Sequence, residues 1–134
     1  MRFLSTKLHG FLDYAVGILL IMSPWLFGFA QDGLETILPV MAGTAALIYS
    51  IFTDYETGLV KVIPMHVHLI LDSAFGAIFA ASPWLFGFAE YVYLPHLIFG
   101  MLEVGVAAIT RTIPYVKGES IETKSFPQHR MHDA

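Results

Sequence analysis

Charge divides this chain more sharply than any other feature. Between Asp13 and Asp32 there is no charged residue, and between Glu35 and Asp54 there is none. From Lys61 to Glu90 the only charge is Asp72, and from Glu90 to Arg111 it is Glu103. A helix rising about 1.5 Å per residue needs roughly 20 residues to cross about 30 Å of hydrocarbon. The four stretches therefore read as membrane spans at Leu8–Phe29, Ile37–Phe52, Met65–Phe88 and Leu94–Ile113. The second is short and is expected to take in flanking residues. Pro39, Pro64 and Pro95 stand near the starts of spans two, three and four. Proline is tolerated there because an N–H in the first turn has no helical partner. Composition agrees: 56% of the residues are apolar and 13% charged, against about 25% charged in soluble domains. Too few polar residues remain to cover a soluble fold, so the solvent for much of the chain is lipid.

The basic residues set an orientation. Arg2 and Lys7 precede span one, Lys61 lies between spans two and three, and Arg111, Lys117, Lys124 and Arg130 follow span four. The loops after spans one and three carry neither Lys nor Arg. All the basic residues thus fall on one side, which the positive-inside rule makes cytoplasmic, with both termini there. They form no patch, so no nucleic-acid partner is expected. The first span has some features of a secretory signal, with Arg2 and Lys7, an apolar run and then Gly28-Phe29-Ala30. The run is long for a signal, and its ending recurs far from the N-terminus, so the span is expected to stay.

That recurrence is an internal duplication. Ser23-Pro24-Trp25-Leu26-Phe27-Gly28-Phe29-Ala30 reappears letter for letter as Ser82 to Ala89. The same shift superposes His9 on His68, Leu12 on Leu71, Asp13 on Asp72, Ala15 on Ala74 and Gly17 on Gly76. The second helix of each unit matches weakly: Leu38-Pro39 echoes Leu94-Pro95, and Gly43 echoes Gly100. A run this long does not arise by chance. Both units enter from the same side, so they are parallel repeats related by an axis along the membrane normal. The expected fold is an all-α membrane protein of four transmembrane helices, built as two parallel tandem two-helix repeats. The expected divisions are a first repeat at 1–57, a second at 58–114, and a polar cytoplasmic tail at 115–134 holding His129, His132 and Asp133.

Two hydrophobic units that each end their first helix in Ser-Pro-Trp resemble the SPW-repeat family of small bacterial integral membrane proteins. The resemblance runs over residues 8–113 and leaves the tail outside. It implies a two-helix repeat and a multi-pass location in the bacterial cytoplasmic membrane. It brings no activity and no catalytic residue.

Placed on a helical wheel with His9 at zero, Asp13 falls at about 40°, Pro24 at about 60°, Gly17 at about 80° and Gly28 at about 100°, while Trp25 falls at about 160°. The same holds for His68, Asp72, Pro83, Gly76, Gly87 and Trp84. Each odd-numbered helix therefore carries one stripe of polar and small residues, with the Trp pointing away from it. Ser23, Pro24, Trp25, Ser82, Pro83 and Trp84 read as a structural motif. Proline frees a carbonyl one turn back, serine can re-satisfy backbone near the kink, and an indole is stable among headgroups.

The acids are less easily explained by packing. A charge in the hydrocarbon costs about 2.5–3.5 kcal/mol on the insertion scale, and such residues face the bundle interior and pair. His9–Asp13 and His68–Asp72 are i, i+4 neighbours, so their side chains can meet. Glu103 lies near mid-membrane without a counterpart in the first unit, where Ala46 or a neighbour stands. It must be protonated, wet or hydrogen-bonded. Asp13, Asp72, Glu103, His9 and His68 are thus the candidates for an ion or proton pathway.

Two functions of different class fit these residues. One is transport or permeation of protons, a cation or a small solute, which in so small a bundle calls for a homo-oligomer. The other is a non-catalytic structural or accessory membrane protein whose polar stripe holds helices together, with another membrane protein as a candidate partner. A third reading is a redox protein with haem held by His9 and His68. No catalytic signature or metal-ligand spacing stands out along the chain, and there is no cysteine. No enzyme activity, metal or cofactor is therefore expected, and the one certain partner is the lipid bilayer.

Overall fold

The computed structural model of the protein describes residues 2–114, and the segment 115–134, with its two histidines, lies outside the described residues. Four helices follow one another: α1 (Thr6–Leu26), α2 (Leu34–Ile51), α3 (Met65–Leu85) and α4 (Leu94–Ile109). No β-strand occurs among the described residues beyond two isolated bridges.

Local chemistry sets the helix ends. Ser5 caps α1, its hydroxyl accepting the Leu8 N–H at 3.2 Å. Extended backbone at Pro64 starts α3, and α4 has proline in its first turn. α2 begins at Leu34, three residues before the expected start, because the Glu35 carboxylate accepts the Gly33 N–H at 3.0 Å and closes the first turn. Pro39 consequently sits inside α2 rather than in its first turn. α1 and α3 stop at Leu26 and Leu85, short of the expected Phe29 and Phe88. Gly28 (φ +70) and Gly87 (φ +77) follow in the left-handed region that favours glycine and turn the chain away.

The motif at these ends repairs its own proline. Pro24 has no N–H to donate to the Leu20 carbonyl, and the Ser23 hydroxyl donates to that carbonyl instead at 2.8 Å. Ser82 does the same for the Phe79 carbonyl, which Pro83 would leave unbonded, at 2.7 Å. Trp25 and Trp84 point outward, 64% and 56% exposed.

α1, α2 and α3 are long and apolar enough to cross a membrane, and α4 is shorter, at 16 residues. That is about 24 Å of helix. α4 stops before the expected Ile113 because the chain becomes extended at Thr110 and pairs with the N-terminal segment. The Leu4 N–H donates to the Ile109 carbonyl at 3.0 Å, and the Arg111 N–H to the Leu4 carbonyl at 3.0 Å. The same strap recurs after α2, where the Ile63 N–H donates to the Phe52 carbonyl at 2.9 Å and the Asp54 N–H to the Ile63 carbonyl at 2.8 Å.

α1 packs along α2 and α3 along α4, with sparser contact between the pairs. Glycines permit the close approach. A Cβ on Gly17 would lie 3.2 Å from the Gly43 carbonyl oxygen, and one on Gly76 would lie 2.8 Å from that of Gly100. Small residues at such crossings are how membrane helices gain packing without a hydrophobic driving force. Burial runs opposite to that of a soluble protein. Among the fully buried side chains are His9, His68, His96, Thr6, Thr53, Thr110 and Asp72, while Phe11, Ile18, Met41, Ile70, Ile98 and Met101 are exposed. A bundle that hides its polar groups and displays its large apolar ones has lipid for solvent.

Candidate functional site

At the end of the bundle where α1 and α3 begin, four repeated residues from the two units meet. His9 and Asp13 lie in the second and third turns of α1, and His68 and Asp72 in the equivalent turns of α3. All four are buried. Within each helix the i, i+4 pair closes as the spacing predicts. His9 Nε2 is 3.2 Å from Asp13 Oδ1, and His68 Nε2 is 3.2 Å from Asp72 Oδ2. The cross-unit contacts are as short: His9 Nε2 to Asp72 Oδ2 is 3.0 Å, and His68 Nε2 to Asp13 Oδ2 is 3.1 Å. The two Nε2 atoms are 3.1 Å apart, with the rings edge to face. The donor atoms of all four residues lie within 4.8 Å of one another.

Nothing in the spacing along the chain suggested a metal-ligand set, because each unit supplies only half of this group. The grouping appears only when residues 59 apart are brought face to face. Haem ligation fares worse in the same geometry. Axial nitrogens on opposite sides of a haem iron stand about two metal–nitrogen bonds apart, roughly 4 Å, with a flat slot between them. Here the nitrogens are closer, and both face carboxylates.

An outer layer of hydroxyls holds the four side chains. His9 Nδ1 lies 2.8 Å from Thr110 Oγ1, and His68 Nδ1 lies 2.8 Å from Thr53 Oγ1. Each threonine directs its own proton to the carbonyl four residues back, Thr110 to Val106 at 2.6 Å and Thr53 to Tyr49 at 2.7 Å. The bracing is crossed between units: a threonine just past the second helix of one holds the histidine of the other. The Tyr49 hydroxyl donates to Asp72 Oδ1 at 2.6 Å, and the Tyr55 hydroxyl donates to Asp13 Oδ2 at 2.9 Å. The Ser50 hydroxyl reaches Asp13 Oδ2 at a longer 3.4 Å. Tyr55 lies in the connection between α2 and α3. Burial raises the pKa of its hydroxyl and the nearby Asp13 carboxylate raises it further, so Tyr55 remains a donor.

Sequence reasoning missed Thr53, Tyr49, Tyr55 and Ser50. One signal was available for Thr53: the offset that places Gly43 on Gly100 also places Thr53 on Thr110. Tyr49 has no such signal, since the same offset puts it on Val106.

Glu103 stands apart from the four-residue group. It is half-buried and lines two clefts, one between α2 and α3 and one between α1 and α4. The larger has a volume of about 340 Å³ and also holds Asp72, Tyr49 and Ser82 among apolar walls. The smaller, about 30 Å³, brings Glu103 beside Asp13. The Cβ of Glu103 packs where a side chain on Gly76 would sit.

His96 belongs to the opposite end of the bundle. It is packed among Phe79, Phe88 and Phe29 at ring-centre distances of 4.9, 5.0 and 5.7 Å. Its polar neighbour is the backbone of Glu35, and neither ring nitrogen closes a hydrogen bond of good geometry with any of the described residues. His66 is exposed on α3, away from His68.

No curated protein and no solved structure matches this chain. A family profile described as the SPW repeat domain matches residues 7–110, a stretch that takes in all four helices except the first residue of α1. With its polar groups turned inward, its apolar side chains turned outward and its repeated Ser-Pro-Trp turns, the chain is a membrane protein that belongs to the SPW repeat family.

Proposed function

We propose that this protein handles a cation within the membrane, with His9, Asp13, His68 and Asp72 as the binding centre and Glu103 as an adjoining carboxylate. One observation carries the reading: four ionisable side chains, all buried, turn their polar atoms toward a single point on the axis between the two units. Buried acids in hydrocarbon are costly and mark ion and proton routes by default. Glu103 supports it by touching clefts that also reach Asp72 and Asp13. The distribution of the basic residues supports both termini being cytoplasmic, and on that reading the centre opens to the cytoplasmic half of a bacterial inner membrane. The two halves 1–57 and 58–114 act as one body around it, and a second copy of the chain covers the cleft between α2 and α3.

The test is flux. Protein reconstituted in liposomes should dissipate an imposed proton or divalent-cation gradient faster than empty liposomes, and Glu103→Gln should abolish that flux while leaving the melting temperature nearly unchanged. A rival reading has one specific observation behind it. The centre's carboxylates already accept hydrogen bonds from Tyr49, Tyr55 and Ser50, as a network that only pins helices would. On that reading Asp13→Asn and Asp72→Asn lower stability and there is no flux to lose.

A further inference from the structure

We infer that the centre is a four-coordinate site for one divalent first-row transition-metal ion, with His9 Nε2, His68 Nε2 and one oxygen each of Asp13 and Asp72 as ligands. This rests on the cation reading above and names the cation's class.

The argument begins with Thr53 and Thr110. Each hydroxyl has a single proton, and each directs it to a backbone carbonyl at 2.7 and 2.6 Å. A hydroxyl committed in this way can only accept from the histidine beside it. Both Nδ1 atoms therefore carry the proton, and in each neutral imidazole the lone pair is on Nε2. When both imidazoles are neutral, these lone pairs face each other across 3.1 Å, with two carboxylates around them. Four electron-pair donors converge on one point, two of them anionic, and no Lys or Arg among the described residues takes part in the group. A divalent cation at that point neutralises both carboxylates and leaves both imidazoles uncharged.

The dimensions agree. Ligands placed tetrahedrally at metal–ligand distances of about 2.0–2.2 Å lie roughly 3.3–3.6 Å from one another. The His–His and His–Asp contacts here are 3.0–3.2 Å, with Asp13 turning Oδ1 to His9 and Oδ2 to His68, and one donor atom from each residue lies within 4.8 Å of the others, so small side-chain shifts admit the ion. Two imidazoles and two carboxylates suit Zn²⁺, Fe²⁺ or Co²⁺ better than Mg²⁺ or Ca²⁺, which favour all-oxygen shells of higher number. The surrounding hydroxyls complete the pattern. A ligating histidine donates its other nitrogen to a fixed acceptor, and ligating carboxylates are held by donors of their own. Thr110, Thr53, Tyr49 and Tyr55 fill these positions. They are positioning residues, since they act through the ligands.

The probe is Co²⁺, added to the full chain in detergent, with Zn²⁺ as competitor. Elemental analysis after gel filtration should give one Co²⁺ per chain, and the spectrum should show the intense visible bands of a tetrahedral site, which Zn²⁺ removes. His68→Gln should lose the bands. Because a ligand variant can fail to fold, Thr53→Val is the second variant. It keeps all four ligands and should weaken Co²⁺ binding about 10–100-fold while retaining a tetrahedral spectrum. Co²⁺ well below one per chain, a pale octahedral spectrum, or Thr53→Val with unchanged affinity would each overturn the assignment. Failure here and failure of the cation reading are separable. Proton flux without Co²⁺ binding removes the metal and keeps the transport. Stoichiometric Co²⁺ binding without flux keeps the metal and removes the transport.

Discussion

The two ends of this bundle carry the two most faithfully repeated motifs in the chain, and the structure uses them in opposite ways. At the Ser-Pro-Trp end each copy is self-sufficient. Ser23 repairs the break made by Pro24 within α1, Ser82 repairs that of Pro83 within α3, and the indoles point outward. At the His/Asp end neither copy is complete. His9 relies on Asp72 and Thr110, and His68 on Asp13 and Thr53. Exact repetition therefore says nothing about whether two copies meet. What decides it is whether the repeated side chain faces the axis between the units or its own backbone.

The sharpest attempt to break this contrast is Asp72→Ala. It leaves the buried Tyr49 hydroxyl without its acceptor and should destabilise the protein by about 1–3 kcal/mol, read as a fall in melting temperature in detergent. A loss no larger than that of an exposed-site variant would mean the His/Asp end is as self-contained as the other. Next comes a double-mutant cycle at each end. His9→Ala with His68→Ala should depart from additivity by about 0.5–3 kcal/mol, because the residues share one network. Ser23→Ala with Ser82→Ala should add within roughly 0.5 kcal/mol, because each acts alone. Thr110→Val is expected to cost about 1–3 kcal/mol by leaving the His9 Nδ1–H buried without an acceptor. Thr53→Val should match it through His68, and a marked inequality would show that the two units brace each other unequally. The smallest effect is Ser82→Ala alone, at roughly 0.5–1.5 kcal/mol, the net worth of one hydrogen bond to a backbone carbonyl. Chemical denaturation in mixed micelles would resolve it from zero.

Much of the architecture was legible because lipid imposes simple rules. Stretches with at most one charge pointed to the four helices, and the Ser-Pro-Trp repeat to the family. Boundaries were less legible, since Gly28 and Gly87 end two helices before their apolar runs end, and the strap at Leu4 ends the fourth. For the site, helical spacing led to His9–Asp13 and His68–Asp72 as pairs, but it cannot show that two pairs form one group. That depends on the rotation of α1 and α3 about their axes, which packing at Gly17 and Gly76 sets. Tyr49 and Tyr55 were illegible for a different reason. A tyrosine near a membrane edge reads as an interface residue, and only tertiary structure shows that each hydroxyl turns inward to an aspartate.

The crossed bracing by Thr53 and Thr110 has an architectural corollary. Each histidine is clamped by a threonine that comes from the other half of the gene product, so a solitary half offers a histidine with no clamp and a clamp with no histidine. Two identical halves facing each other would satisfy both needs at once, with the four His–Asp and two His–Thr contacts arising from a single short peptide used twice. The centre is thus compatible with an ancestor half this length that dimerised about the same axis. Glu103 is the departure from that arrangement. Two identical halves would carry either no carboxylate at that level or a pair of them, and only a fused chain can hold just one.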